Sequence, residues 1–230
     1  MLFFAASKFG LANSEQENNT NTIPLDEIRI FTEIFSKIKS DYVENSDDKV
    51  LLKNAIHGML QGLDPHSAYL DKEAYKEFIS NGWLGMTLAK EYGGQGLPGV
   101  LGTFVNEIVS SSNMSFGNFP GLTTNAFEAI EKSGSDKLKN LYLPKLATGE
   151  WTGTMNLTEP QCGTDLGLCK TMAQPQGNSS YKITGTKIFI TAGEHDLSEN
   201  IIHLVLARTP NAPVGIKGIS LFLVSKIIPK

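Results

Sequence analysis

Residues 149–165 read Gly149-Glu150-Trp151-Thr152-Gly153-Thr154-Met155-Asn156-Leu157-Thr158-Glu159-Pro160-Gln161-Cys162-Gly163-Thr164-Asp165, and this stretch decides the fold. It opens as a short alternating strand, with Thr152, Thr154 and Asn156 on one face and Met155 and Leu157 on the other. Pro160 ends the strand because it brings no N–H to a ladder. Gly163 and Thr164-Asp165 then turn the backbone, so that amides and hydroxyls face one concavity. Such a surface suits a flat ring system rich in hydrogen-bond acceptors. No Ser–His or Cys–His pair lies nearby to make it a hydrolase site.

Upstream the signal is helical. Leu25, Ile28, Phe31, Ile34, Phe35, Ile38 and Tyr42 repeat at three and four, with Asp26 and Glu27 in the first turn. A second helix is predicted from an N-cap at Ser46 to Gly62, with Val50, Leu51, Ala55, Ile56, Met59 and Leu60 along a stripe. Asp64-Pro65 forces an extended turn, and Asp71 caps a third helix running toward Asn81. The stretch Glu91-Tyr92-Gly93-Gly94-Gln95-Gly96 is glycine-rich. It lacks the Lys-Ser/Thr ending of a phosphate loop. A buried helix follows, with Leu101, Phe104, Val105, Ile108 and Val109 on one side. Met114 to Thr124 is apolar and interrupted by Gly and Pro. Short helices are then expected through Phe127–Lys132 and, capped by Ser135, through Lys137–Tyr142, with Pro144 and Gly149 closing the helical part.

After Gly149 the period changes to 2, and strands are expected over 152–157, 170–174, 181–191, 202–208 and 218–224. Helices first and strands afterwards predict an α+β fold, an N-terminal helical region followed by a mainly antiparallel β domain. No GxGxxG follows a strand, so a nicotinamide cofactor is not expected.

Composition narrows the class. The chain has 230 residues, 40% of them apolar, with a net charge of −4. That balance argues against a nucleic-acid partner. No apolar run nears the ~20 residues that cross a bilayer. Cys162 and Cys169 lack metal-ligand and CxxC spacing, so no metal site is expected and a reducing, cytoplasmic location is the simplest reading. Met1-Leu2-Phe3-Phe4-Ala5-Ala6 is too short for a signal core. Were it the remnant of one, the location would be periplasmic. Residues 13–22 are polar and low in complexity, and the segment 1–24 is expected to be disordered or a signal remnant.

Two strings then point to a family. Leu157-Thr158-Glu159-Pro160-Gln161-Cys162-Gly163-Thr164-Asp165 and Gly185-Thr186-Lys187-Ile188-Phe189-Ile190-Thr191-Ala192-Gly193-Glu194-His195-Asp196 resemble the acyl-CoA dehydrogenase flavoproteins, in the subgroup acting on 3-methylthiopropanoyl-CoA and related acyl-CoAs. The resemblance implies a helical region over 79–149 and a middle β domain over 150–228. It implies FAD, held through Met155, Leu157, Thr158, Thr164, Phe189, Ile190 and Thr191, with Thr164 also touching the acyl-CoA. It further implies α,β-desaturation, an electron-transfer flavoprotein or similar acceptor, and a homo-oligomer in the complete family member. The family's general base is a glutamate of a C-terminal helical domain. The sequence ends after the last strand, so no catalytic residue is assigned and a catalytically incomplete fragment is expected. Glu159 and Asp165 are expected to bind backbone amides.

Residues 25–78 look different. Asp41-Tyr42-Val43-Glu44, Gly58-Met59-Leu60 and Gly62-Leu63-Asp64-Pro65-His66-Ser67-Ala68-Tyr69-Leu70 resemble the helical leader of carboxyl-terminal processing peptidases. His57 and His66 read as ordinary helix and turn residues. The chain thus reads as two unrelated pieces joined near 75–82, a fused or mis-assembled frame, and a periplasmic peptidase module is the competing reading.

Overall fold

In the computed structural model, residues 2–3, 24–44, 46–63 and 68–229 are described. The expectation of a disordered arm over 1–24 falls almost wholly outside them, as do the Asp64-Pro65 turn and His66. The chain divides into two compact units, one over Leu2–Tyr69 and one over Leu70–Lys230.

The smaller unit contains β1 (Leu2–Phe3), paired antiparallel with β2 (Ala68–Tyr69), and two helices, α1 (Leu25–Asp41) and α2 (Asp48–Gln61). The cap of α2 is Asp47 instead of Ser46. Its carboxylate accepts from the amides of Lys49 and Val50, and a charged acceptor suits the positive helix end. The periodicity of α1 is real, yet Leu25, Ile28, Ile34 and Tyr42 are exposed and none of its residues is buried.

The larger unit begins with α3 (Lys72–Ser80), capped as expected by Asp71, whose Oδ1 accepts from Ala74 N. Tyr75 of α3 is buried; its hydroxyl donates to Gly149 O at 2.7 Å and its ring meets Phe119 edge-on. Next comes α4 (Gly99–Ser133), which replaces the predicted sequence of separate pieces. It is kinked at Asn113, whose Oδ1 caps the second half through Phe116 N at 2.8 Å. Pro120 lies inside that second half. The expected breakers are overridden there because Phe119, Thr123, Ala126, Phe127 and Ile130 form a fully buried stripe. The first half differs from expectation as well: Leu101, Phe104 and Ile108 are exposed. Helix α5 (Asp136–Ala147) keeps its Ser135 cap and continues through Pro144.

Five strands follow: β3 (Trp151–Asn156), β4 (Met172–Pro175), β5 (Tyr181–Thr184), β6 (Asn200–Arg208) and β7 (Ile219–Ser225). They form one sheet in the order β3-β6-β4-β5, with β7 also on β6. The α+β class is observed, and the sheet is mixed. The pairs β4–β5 and β6–β7 are antiparallel, whereas β3 lies parallel to β6 in the register Trp151↔Asn200 to Asn156↔Val205. The second half of α4 presses on β3. A Cβ on Gly153 would come within 2.4 Å of Ala126 Cβ, and Gly153 N donates to the buried Thr123 Oγ1. Around this contact Phe127, Ile130, Leu143, Leu146, Ile202 and Leu204 make the core. The strand expected over 181–191 stops at Thr184. Beyond it Gly185 sits against Thr171, leaving no room for a side chain, and the backbone leaves the ladder.

Candidate functional site

Where β3 ends, the chain turns through Pro160, and Glu159 and Cys162 pair with each other through both backbone bonds. Glu159 is the centre of what holds this turn. Its side chain is 3% exposed. Its carboxylate accepts from Lys170 N at 2.8 Å, Thr171 N at 3.0 Å and Thr171 Oγ1 at 2.6 Å. Lys187 Nζ, 9% exposed, pairs with it at 2.9 Å. Burial alone would raise the Glu159 pKa, but the bonds from Thr171, Lys187 and the Lys170 amide outweigh it and hold the carboxyl well below the usual range. Glu159 is therefore an ionised structural anchor. Asp165 accepts from Gly167 N at 2.9 Å, so both acids bind backbone amides as expected.

Lys187 reaches across to the other segment. Its ammonium donates to Leu157 O at 2.9 Å, and Ile188 N donates to Thr158 O at 3.0 Å. The two strings picked out in the sequence are thereby stitched into one surface. Thr158 N–H and the hydroxyls of Thr158, Thr164 and Thr191 take no hydrogen-bond partner among the described residues. Phe189 follows Ile188, whose amide is bonded to Thr158 O, and so lies close to Thr158, with 88% exposure and φ of +56°. A left-handed backbone is unusual for a bulky residue and costs about 1–2 kcal/mol. The strand expected over 181–191 would have put Phe189 and Thr191 on one face, but the strand ends at Thr184 and this segment is not part of the ladder. Ile190 is half-buried and its carbonyl accepts from Gly193 N. Met155 and Leu157 are likewise half-buried.

Thr191 also lines a cleft of about 1040 Å³ that runs along α4. Phe78, Trp83, Val105, Val109 and Phe116 give that cleft apolar walls. The arrangement offers a donor-rich edge, an exposed ring and an adjoining apolar channel, which suits a flat polar ring system next to an alkyl chain.

Beneath the surface, the hydroxyls of β3 are engaged with histidines. Thr152 Oγ1 meets His195 Nε2 at 3.1 Å, and Thr154 Oγ1 meets His203 Nδ1 at 2.8 Å. Leu197 N donates to His195 Nδ1, so Nε2 carries the proton toward Thr152. Burial, reinforced by the charge of Lys226, pushes the His195 pKa down to about 4.

Models of two domains of one family match the chain: the acyl-CoA dehydrogenase N-terminal domain over residues 51–150 and the acyl-CoA dehydrogenase middle domain over 154–229. The chain belongs to the acyl-CoA dehydrogenase family. A 3-methylmercaptopropionyl-CoA dehydrogenase of Ruegeria pomeroyi is 56% identical over 157 residues, which is 68% of this chain and 27% of that protein. A butyryl-CoA dehydrogenase of Syntrophomonas wolfei is 46% identical over 121 residues, 52% of this chain and 20% of that protein. Among solved structures, a glutaryl-CoA dehydrogenase from Mycobacterium smegmatis in complex with FADH2 superposes with a TM-score of 0.59 at 28% identity, covering 88% of this chain and 46% of that one. The chain thus spans about a quarter of the length of these two curated relatives. A model of the N-terminal domain of the activating protease CtpB also matches, over residues 4–74, and overlaps the acyl-CoA dehydrogenase match at 51–74.

Within this family member, sequence reasoning missed the Glu159–Lys187 pair and the two threonine–histidine pairs. The signal for Lys187 was present: a single lysine next to the apolar run Ile188-Phe189-Ile190. A charged residue there must either face water or find a buried partner.

Proposed function

We propose that residues 150–228 hold FAD through Met155, Leu157, Thr158, Thr164, Phe189, Ile190 and Thr191, and that the whole protein desaturates an acyl-CoA between its α and β carbons. The observation that carries this reading is the fused surface of residues 157–158 and 187–191, with unpartnered donors beside the exposed Phe189 ring. That donor set fits a flavin: the amide and hydroxyl of Thr158 can donate to its polar pyrimidine edge, and the Phe189 ring can cover one face. When bound, FAD accepts a hydride from the β carbon while a base removes the α proton. Donors fixed before reaction stabilise developing negative charge at no reorganisation cost. Thr164 touches the acyl-CoA as well as the flavin, and the apolar cleft along α4 takes the acyl chain.

The substrate class we favour is 3-methylthiopropanoyl-CoA and related short acyl-CoAs, supported by the 56% identity to the Ruegeria enzyme. An electron-transfer flavoprotein or similar acceptor, a homo-oligomeric state and a cytoplasmic location complete the proposal. No helix among the described residues is long and apolar enough to cross a membrane.

The base lies outside the flavin surface described here. Glu159 is engaged in its ion pair and Asp165 holds the Gly167 amide. A positioned base contributes about 10²–10⁴-fold. These 230 residues alone should therefore bind flavin without turning over an acyl-CoA. The test is anaerobic mixing of the FAD-loaded chain with 3-methylthiopropanoyl-CoA and with octanoyl-CoA. No bleaching of the flavin band is expected, and bleaching at an ordinary enzymatic rate would show that a base resides in this stretch. The match over residues 4–74 favours a second reading for that segment alone, a helical module of a processing peptidase. Secretion of the chain with cleavage near Ala12 would support it.

A further inference from the structure

Lys187 is buried and bonded to the backbone of the donor surface. Its ammonium donates to Leu157 O at 2.9 Å, and Leu157 C=O and Thr158 N–H belong to one peptide unit. A cation bound to a peptide carbonyl draws electron density from the unit and makes its N–H a stronger donor, an effect that low dielectric enlarges. Lys187 is 9% exposed, so water does not dissipate it. The next peptide is polarised in the same sense, since Thr158 O accepts from Ile188 N. The geometry points to Lys187 as a positioning residue that tunes the flavin: through the Leu157–Thr158 peptide it strengthens the Thr158 N–H donor and so favours the reduced, anionic cofactor over the oxidised one. This inference rests on the flavin reading given above.

Glu159 supplies the contrast. Its carboxylate shares the same ammonium at 2.9 Å and opposes it electrostatically, yet it does not touch Leu157 O. A purely structural pair would make Glu159 and Lys187 equivalent. A tuning role makes them opposite in sign. Lys187→Met alone would leave a buried carboxylate without its cation and threatens folding. Glu159→Gln leaves the ammonium unpaired in its turn and costs stability, but it keeps the Lys187 donor; it is read beside the charge-free double variant Glu159→Gln with Lys187→Met, which decides the question by itself if the single variant does not fold.

The experiment measures the reduction potential of FAD bound to the full chain and to both variants at pH 6, with circular dichroism to confirm folding. The double variant should lose preference for reduced flavin by about tenfold, which for a two-electron couple is about 30 mV. Glu159→Gln should hold its preference or gain. A potential equal in all three proteins, or lowered equally in both variants, overturns the inference while leaving the flavin reading intact. Failure of the unmutated chain to bind FAD at all removes both.

Discussion

Replacing Glu159 by Gln should destabilise the larger unit by about 3–5 kcal/mol, the range found when one partner of a buried ion pair is removed. The structure shows where that energy sits. At 2.9 Å and an effective dielectric of about 20, the pair attracts by about 6 kcal/mol. Desolvation of both ions offsets most of this in the native protein, but glutamine leaves the ammonium of Lys187 buried without its anion. One carboxylate oxygen, Oε1, survives as an amide oxygen and keeps Thr171 N. In place of Oε2 an NH2 group faces Lys170 N–H and the Gln161 amide, donor against donor, which costs about 1–3 kcal/mol and falls within the total. Urea unfolding followed by the fluorescence of Trp151, which packs edge-on against Tyr142, reads the change. With a slope of about 2 kcal/mol per molar, the midpoint should fall by about 2 M. Adding Lys187→Met should restore most of the loss. A shift under about 0.5 M for the single variant, or no recovery in the double one, would refute the view that this pair anchors the turn.

The buried His195 predicts acid sensitivity. Its folded pKa of about 4 lies below its ordinary 6.5, so the unfolded chain binds the proton first; its contribution is full above pH 6.5 and is lost as pH falls toward 4, about 3 kcal/mol in all. Stability measured against pH should show this slope, and His195→Asn should flatten it. Gly153→Ala should cost about 1–3 kcal/mol by overpacking, read as a lowered Tm, because its Cβ would meet Ala126 at 2.4 Å. Phe189→Gly should raise stability by about 0.5–1 kcal/mol by relieving the left-handed backbone, and weaken FAD binding in the same protein. Opposite movements of Tm and affinity are the check on that prediction.

Some of this was written plainly in the residues and some was not. The turn after β3 declares itself through Pro160 and Gly163, and Asp71 and Ser135 declare their helices by local capping. Strand positions after Gly149 follow from period 2, since each needs only its own residues. What is decided by distant partners stays hidden. The parallel pairing of β3 with β6 joins residues 49 apart in the sequence, and Lys187 finds Glu159 across 28. Pro120 and the glycines of α4 announce a break that burial against β3 overrides. Conversely, the apolar periodicity of Leu101, Phe104 and Ile108 announces burial, while those side chains are exposed in the described chain. Phe189 reads as a strand residue because β propensity says nothing about a backbone forced to φ of +56° once Gly185 has left the ladder.

The most direct test of the account is a titration of FAD fluorescence and absorbance with the purified chain and with Thr158→Val. Saturable binding at one flavin per chain is expected, with a shifted flavin band, and weakened binding in the variant. Flavin fluorescence unchanged by the unmutated chain, or a Thr158→Val variant that binds just as tightly, would contradict it.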